Sequence, residues 1–402
     1  MKKKYDIIIL LDHGYKCAAD PRVARSAEIM TNNGFNVCII AYMDLDLPEY
    51  EVLNNVEVYR IIPQDFSRPR SLFGLRNNIA KSIVDKFNTR TFFCVDHRML
   101  DLGCRIKKHI PEIHLIYDAH EYLQGYQSQF DETNSFLYKT KSKLFQLREK
   151  ILEKKNLLNI SLLCTISDSF ADLYRKNFRF FAPTYTIRNV SEFFTSKTTF
   201  KETFPDEYIK LEKIKGKNNL IYFGDFFKYL NGIECLFEAL KHIPEESSLI
   251  LVGTNKNPEF FAKYFNHPDL KKRIVHIKRL PHPYLQFIAA YAVASSVPTM
   301  ETEYLQTTFS LPNKLFDSIA ANLPIICSDL AEHKKIIDRY NNGLQYSGSD
   351  WENAPKSIAC AFEKMISNYA FFKNNALACS SLFSIEKEFS ELMNYLKARV
   401  EK

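Results

Sequence analysis

Paired cysteines, glycine and long apolar runs are all scarce in this chain of 402 residues. The nine cysteines are scattered and odd in number, and none shows C-x-x-C spacing, so neither a disulfide scaffold nor a zinc ribbon is expected. A reduced, cytoplasmic setting fits this usage best. The first apolar run, residues 7–11, is interrupted by Asp12 and is too short for a signal peptide or a spanning helix. The sequence therefore predicts a soluble or peripheral protein.

The net charge of the chain excludes fewer classes of protein than its apolar content does. Lysine and arginine exceed the acids by 54 to 47, a net charge of +7, which suits an acidic ligand or a membrane surface. This excess is too weak to argue for nucleic acid, and no RNA- or DNA-binding signature accompanies it. Because 46% of the residues are hydrophobic, the chain can build large cores, and its length suffices for two or three domains.

Short apolar runs alternate with amphipathic helical patterns along most of the chain. The predicted strands include "YDIIILL", "FNVCIIAY", "TFFCVD", "HLIYDAH", "NLIYFGD" and "SLILVG". This alternation predicts parallel sheets with helices on both faces. The pattern breaks over residues 191–217, which predicts a linker between two doubly wound domains, 1–190 and 218–380, with a cleft between them. Residues 381–402 read as a terminal amphipathic helix.

The stretch "SLPNKLFDSIAANLPIICSDL" predicts a helix followed by a buried strand. Lys314 falls in the first helical turn, where the helix dipole disfavours a cation. A bound phosphate at the helix N-terminus would explain it. Asn313 and Asp317 share its face, and a carboxylate one turn deeper can accept hydrogen bonds from a diol such as ribose. The alternative is a solvated Lys–Asp pair on a surface helix.

Three polar residues end the predicted strand in "IYDAHEYL". Asp118, His120 and Glu121 lie where α/β proteins place catalytic groups, and metal-ligand spacing is absent. A histidine there could bind substrate or transfer a proton. The alternative is a structural histidine at a strand end.

Two loops contain glycines that let the backbone approach a ligand. Gly14 follows the first strand, and Arg22 lies on the helix after this loop. The alternative to a functional role for Arg22 is a place on a solvated helix face. Gly224 follows the strand "NLIYF", although no recognised phosphate-binding glycine pattern is present and an ordinary connection is the alternative.

The basic stretch "YKTKSKLFQLREKILEKKN" predicts a helix on which apolar residues partly segregate from the lysines. The apolar positions are Phe136, Leu144, Leu147, Ile151 and Leu152. Such a helix suits the surface of an anionic membrane, with a plain solvated helix as the alternative.

Taken together, these segments resemble the GT-B glycosyltransferases, and most closely the retaining enzymes of family 4. The resemblance is carried by "DPRVARSAEIMTNNGFNV", "VDHRMLDLG", "LIYDAHEYL", "CTISDSFADLY", "IYFGDFFKYLNGIECLFEAL" and "LPNKLFDSIAANLPIICSD", in the expected order. It implies two Rossmann-like domains and metal-independent transfer of a sugar from a nucleotide-sugar, with no cofactor.

The resemblance also implies roles for individual residues. His120 and Asp118 take the catalytic side near the transferred sugar, and Glu121 and Arg22 the acceptor side. The donor-binding residues that it implies are Gly14, Gly224, Lys228, Asn313, Lys314 and Asp317. Among these, Asp317 matches the acid that binds ribose, whereas Lys314 and Asn313 lie at the diphosphate side.

Four positions depart from the family pattern, one of which is Asn322 in place of the usual glycine before "LP". Phe309 stands where many members carry an acid, Asp225 where they carry an arginine, and Asn231 where they carry a lysine, for which Lys228 is the nearest replacement. We predict a cytoplasmic glycosyltransferase, peripheral on the inner membrane face. Its acceptor would be a glycan or polyprenyl-linked precursor of a capsule, lipopolysaccharide or similar surface polysaccharide. A non-catalytic GT-B subunit and a nucleotide-sugar epimerase are the alternatives.

Overall fold

The computed structural model describes residues 2–13, 21–44, 46–63, 74–123, 136–192, 199–228, 232–302, 304–309 and 311–400. The chain divides into two compact units. The first comprises Met1–Arg188 together with Glu386–Lys402, and the second comprises Asn189–Ile385. Each unit has a large, mainly parallel sheet with helices, so the prediction of an α/β fold with two Rossmann-like domains is confirmed.

The first unit is built on an eight-stranded sheet of order β10-β9-β8-β7-β2-β3-β5-β4. The strands of this unit are β1 (Lys3–Lys4), β2 (Ile7–Leu10), β3 (Val37–Tyr42), β4 (Tyr50–Leu53), β5 (Val56–Ile62), β6 (Phe87–Asn88), β7 (Thr91–Val95), β8 (His114–Ala119), β9 (Leu162–Thr165) and β10 (Thr184–Thr186), of which β1 pairs only with β6. Only β4 runs antiparallel within the large sheet, because a turn at Asn54 and Asn55, both at positive φ, joins it to β5. The central strands β2 and β7 are buried at every position, as expected for strands covered on both faces.

Six α-helices lie in the described part of this unit. They are α1 (Pro21–Asn32), α2 (Leu75–Lys86), α3 (Asp96–Lys107), α4 (Phe136–Asn156), α5 (Asp168–Asn177) and the terminal α16 (Ile385–Val400). The C-terminal helix is thus packed with the first unit although it follows the second in sequence, and the Tyr395 hydroxyl donates to the Ser161 carbonyl, 2.8 Å away.

The second unit has a six-stranded, fully parallel sheet of order β13-β12-β11-β14-β15-β16. Its strands are β11 (Leu220–Phe223), β12 (Leu249–Val252), β13 (Ile274–Ile277), β14 (Ala294–Val297), β15 (Ile325–Ser328) and β16 (Gly343–Tyr346). Its helices are α6 (Phe200–Thr203), α7 (Pro205–Glu212), α8 (Ile233–Ala239), α9 (Pro258–Phe265), α10 (Leu285–Ala289), α11 (Leu305–Phe309), α12 (Asn313–Ala320), α13 (Ala331–Tyr340), α14 (Ala354–Ser367) and α15 (Tyr369–Ser380). Apolar clusters lie on both faces of this sheet.

Residues 199–217 differ from the aperiodic linker that the sequence suggests. They include α6 and α7, and Phe200, Leu211 and Ile214 are buried in one cluster with the sheet residue Phe223. Burying these side chains gains about 1.5–3 kcal/mol each. The stretch is therefore part of the second unit's core.

Candidate functional site

The second unit brings together two segments that the sequence singles out separately. Gly224 follows β11 with φ +113°, a conformation that side chains with a Cβ rarely adopt. The Cε atom of Lys314, in the first turn of α12, lies 3.9 Å from the position that a Cβ on Gly224 would occupy. The lysine side chain therefore extends across the glycine at the carboxyl end of β11, the edge at which α/β sheets bind ligands.

Lys314 is a partly buried cation that forms no ion pair with a carboxylate of the described residues. Its Nζ donates to the Tyr222 hydroxyl at 3.1 Å and lies 4.8 Å from the centre of the same ring. Burial lowers the pKa of Lys314 to about 8, although the charge of Asp317 opposes the shift. The position disfavours the lysine's charge both through desolvation and through the helix dipole, so an anion there would be strongly stabilised.

Asp317 has other partners than the lysine. Its Oδ1 accepts a hydrogen bond from the Ser191 hydroxyl at 2.6 Å and lies 2.9 Å from Nε2 of His282. Within the described chain, no ion pair shorter than 4 Å joins Asp317 to Lys314, so the alternative of a solvated Lys–Asp pair is not what the structure shows. Ser191 and His282 were not singled out in the sequence.

The remaining donor-side residues lie around the same sheet edge with different exposure. Asn313 and Lys228 are exposed, and the Lys228 backbone N–H donates to the Asn257 side chain at 3.0 Å. Phe309 ends α11. Gly14 and Asn231 lie outside the described residues.

Asp225, at the family's arginine position, is surrounded by positive charge. Its Oδ1 accepts from the Thr254 backbone N–H at 2.8 Å, and its Oδ2 lies 3.4 Å from Nζ of Lys256 and 3.6 Å from a guanidinium nitrogen of Arg279. Burial raises the pKa of Asp225, but the Thr254 hydrogen bonds and these two cations outweigh it, so the pKa is lowered overall. Two cations from other loops, Lys256 and Arg279, thus lie beside the position at which the family resemblance predicts one.

In the first unit, Asp118 at the end of β8 is paired from two sides. Arg22 donates to both of its oxygens, from Nε at 3.1 Å and from Nη2 at 2.5 Å, and also to the Ile187 carbonyl at 2.7 Å. Nε2 of His120 lies 2.8 Å from Asp118 Oδ2. Arg22 is only 7% exposed, so it is not part of a solvated face. Glu121, next along the chain, is exposed.

A second carboxylate, which sequence reasoning missed, also holds His120. Asp96 begins α3 with φ +61°, and its Oδ1 accepts the backbone N–H of His120 at 3.1 Å. Burial lowers the pKa of His120, but the charges of Asp118 and Asp96 outweigh it and raise the pKa overall. Because the pKa is raised, the imidazole is more readily charged than an isolated histidine, and the charged ring carries an N–H hydrogen-bond donor on each nitrogen.

The described residues contain no group of three or more His, Cys, Asp and Glu side chains placed to hold a metal ion. No helix among them is long and apolar enough to cross a membrane.

The comparisons with known proteins agree with this architecture. Residues 217–368 match the family model described as glycosyl transferases group 1. An uncharacterized glycosyltransferase of Methanocaldococcus jannaschii is 22% identical over 361 residues, which cover 86% of this chain and 84% of the relative.

Solved structures with the same fold span nearly the whole chain. Sucrose-phosphate synthase of Thermosynechococcus elongatus superimposes with a TM-score of 0.71 at 16% identity, covering 98% of this chain and 99% of the other. Anabaena HepE in complex with UDP-glucose gives 0.68 at 14% identity, covering 98% and 99%. WaaG, a glycosyltransferase involved in lipopolysaccharide biosynthesis, gives 0.61 at 14% identity, covering 97% and 99%.

The fold is that of the GT-B glycosyltransferases. The match of residues 217–368 to glycosyl transferases group 1, together with this fold, supports a transferase enzyme.

Proposed function

We propose that the chain transfers a sugar from a nucleotide-sugar donor to a glycan or polyprenyl-linked acceptor, with retention at the anomeric carbon and without a metal ion, as a member of family 4. We place it in surface polysaccharide synthesis, on the cytoplasmic side of the membrane. The observation that carries the proposal is the partly buried Lys314 in the first turn of α12, whose side chain extends across Gly224 after β11. A diphosphate is the anion that this place best accommodates.

The second unit supplies the donor site in this proposal. Lys314 neutralises the diphosphate, and its effect grows as charge develops on the leaving phosphate. Asp317 accepts hydrogen bonds from the ribose hydroxyls. These bonds either replace its contacts with Ser191 and His282 or are made beside them. Lys256 and Arg279, held by Asp225, provide the positive charge that the family's missing arginine would supply.

The first unit supplies the group that acts on the transferred sugar. His120, charged through Asp118 and Asp96, donates a hydrogen bond that strengthens in the transition state. Arg22 is a positioning residue, because it contacts Asp118 and fixes the carboxylate against His120. HepE, in complex with UDP-glucose, and WaaG, in lipopolysaccharide biosynthesis, support a nucleotide-sugar donor and a glycan acceptor.

A donor library tests the proposal. The purified protein is incubated with UDP-, GDP-, ADP- and CMP-sugars and with glycan and polyprenyl phosphate acceptors, with and without excess EDTA. We expect transfer from one donor, with retained configuration and undiminished rate in EDTA. Conversion of a donor into its epimer would instead identify an epimerase, and nucleotide-sugar binding without any turnover a non-catalytic subunit. Loss of transfer in EDTA, restored by Mg²⁺, would contradict metal independence.

The pKa of Lys314 predicts how donor affinity depends on pH. As pH rises through about 8, the free protein's Lys314 loses its proton, so affinity for a nucleoside diphosphate should fall. Lys314→Arg keeps its charge over this range and should hold its affinity to higher pH. Calorimetric titration at several pH values measures both curves.

Stability without ligand provides the control for this experiment. The unfolded chain keeps the Lys314 proton up to its ordinary pKa of 10.5, whereas the folded protein releases it near 8. The unfolded state therefore binds more protons between these values, and wild-type stability should rise with pH there relative to Lys314→Gln. Parallel pH curves for both proteins would show that Lys314 is not the titrating group.

A further inference from the structure

The outer face of α4 exposes a line of aliphatic side chains. Leu144, Leu147 and Ile151 are 63%, 56% and 59% exposed, and Leu158, just beyond the helix, is 68% exposed. Spacings of three and four residues place the helical members on one face, and the line extends over about 21 Å at 1.5 Å per residue. Single exposed leucines are ordinary on protein surfaces, but an aligned series is typical of an interaction surface.

Lysines border this line on both sides. At 100° per residue, Lys143 and Lys154 project on one side of it, and Lys141 and Lys155 on the other. All four are exposed. Lysine stems can lie along apolar surface while their ammonium groups reach outward. The face thus combines a narrow apolar centre with two positive borders.

Both acids of α4 are directed into the protein. Glu149 is 3% exposed and lies 3.3 Å from Nε2 of His97. Glu153 is 1% exposed and accepts from the hydroxyls of Tyr117 and Tyr174, each at 2.7 Å. A solvated helix commonly places acids three or four residues from its exposed lysines. The outer face of α4 instead contains only positive charge.

An exposed aromatic residue lies at the edge of the sheet where the chain enters β9 and β10. Phe181 is fully exposed in the loop before β10. The Leu163 N–H of the neighbouring β9 donates to the Pro183 carbonyl at 3.0 Å, so this loop lies at the amino-terminal edge of β9 and β10. Leu158 precedes β9 at that edge. Arg179 in the loop is exposed as well, which continues the positive border.

We propose that the outer face of α4, together with Phe181, docks the protein on an anionic phospholipid surface. The aliphatic line enters the boundary between headgroups and acyl chains, and the lysines pair with lipid phosphates. The combination favours lipid over a protein partner, because protein interfaces centre on aromatic and arginine anchors in pockets, whereas the centre of this face is a line of aliphatic side chains on one helix. Docking does not require sugar transfer, so it can be tested without a donor.

Vesicle co-sedimentation tests the surface. Vesicles of phosphatidylcholine with about one quarter phosphatidylglycerol are compared with phosphatidylcholine alone. The double variants Leu147→Gln with Ile151→Gln and Lys154→Gln with Lys155→Gln should each bind anionic vesicles at least tenfold more weakly, and binding should fall as salt rises. Their thermal unfolding should match that of the wild type, because these side chains are exposed.

Matched changes on the second unit serve as controls. Phe371→Gln with Leu377→Gln removes side chains that are 57% and 46% exposed on α15, and Lys356→Gln with Lys364→Gln removes two exposed lysines of α14. Both should bind like the wild type. Equal binding of the wild type to both vesicle types, or equal losses in control and α4 variants, would overturn the proposal. The proposal would also be overturned if the wild type did not bind vesicles and instead formed a dimer that only the α4 variants disrupt.

Discussion

Replacing Arg22 with methionine should destabilise the first unit by about 3–5 kcal/mol, the usual cost of removing one partner of a buried ion pair. Asp118 is 1% exposed, and Arg22 donates to both of its oxygens. Without the guanidinium, the buried carboxylate keeps His120 as its cationic partner among the described residues. Urea unfolding of the isolated variant measures the loss.

The pH dependence of this loss has a definite sign. Burial raises the pKa of Asp118, but Arg22 and His120 outweigh it and hold the pKa well below its ordinary 3.8. The pair's stabilisation is therefore complete above that value and is lost as pH falls through the folded-state pKa. The difference between Arg22→Met and wild type should shrink in acid.

Two further variants check the assignment. Arg22→Met combined with Asp118→Asn should recover part of the loss, since the unpaired charge is gone. Arg175→Met removes an exposed arginine that pairs with the exposed Asp172, and should change stability by about 0.5 kcal/mol or less. Equal effects of Arg22→Met and Arg175→Met would show that the Arg22–Asp118 pair contributes little.

Replacing His120 with alanine should lower kcat by about 100-fold or more while leaving nucleotide affinity nearly unchanged. The imidazole is held by Asp118 and by Asp96, which also raise its pKa against the effect of burial. Wild-type kcat/KM should fall as pH rises through that pKa, and His120→Ala should lack this limb. Steady-state rates measure kcat, and calorimetric titration measures the nucleotide affinity separately.

The control for this change is a histidine of the same unit that lies away from the carboxyl ends of the strands. His109 is exposed after α3, and His109→Ala should retain the wild-type rate. His120→Gln, which keeps a hydrogen-bond donor, should retain more activity than His120→Ala. Wild-type turnover in His120→Ala would establish His120 as a structural residue.

The sequence allowed prediction of local features better than of the partners that fix them. The helix start at Asn313 and the strand end at Phe223 follow from short-range patterns, and the structure brings Lys314 to Gly224. The contacts of Asp317 with Ser191 and His282 span 126 and 35 positions in the sequence, so no local sequence pattern predicts them. Long-range pairing also explains why Arg22 could be read as a residue of a solvated face.

Three elements of the second unit were missed for a different reason. β14 has the sequence ASSV, and its buried serines lack the apolar run by which inner strands are recognised. α6 and α7 have four and eight residues, too few for helical periodicity to stand out. In α4 the lysines were evident, but only the structure shows that Glu149 and Glu153 face inward.

The central claim, that the start of α12 binds a nucleotide-sugar donor, is tested most directly by calorimetric titration of UDP, GDP, ADP and CMP into three proteins. These are the wild type, Asp317→Ala, and Asp269→Ala as a control that removes an acid 86% exposed. We expect one nucleotide to bind the wild type and Asp269→Ala equally, and to bind Asp317→Ala more weakly by about 1.5–3 kcal/mol, the range for a hydrogen bond to a charged group. Equal affinity in all three proteins, or no binding of any nucleotide to the wild type, would contradict the claim.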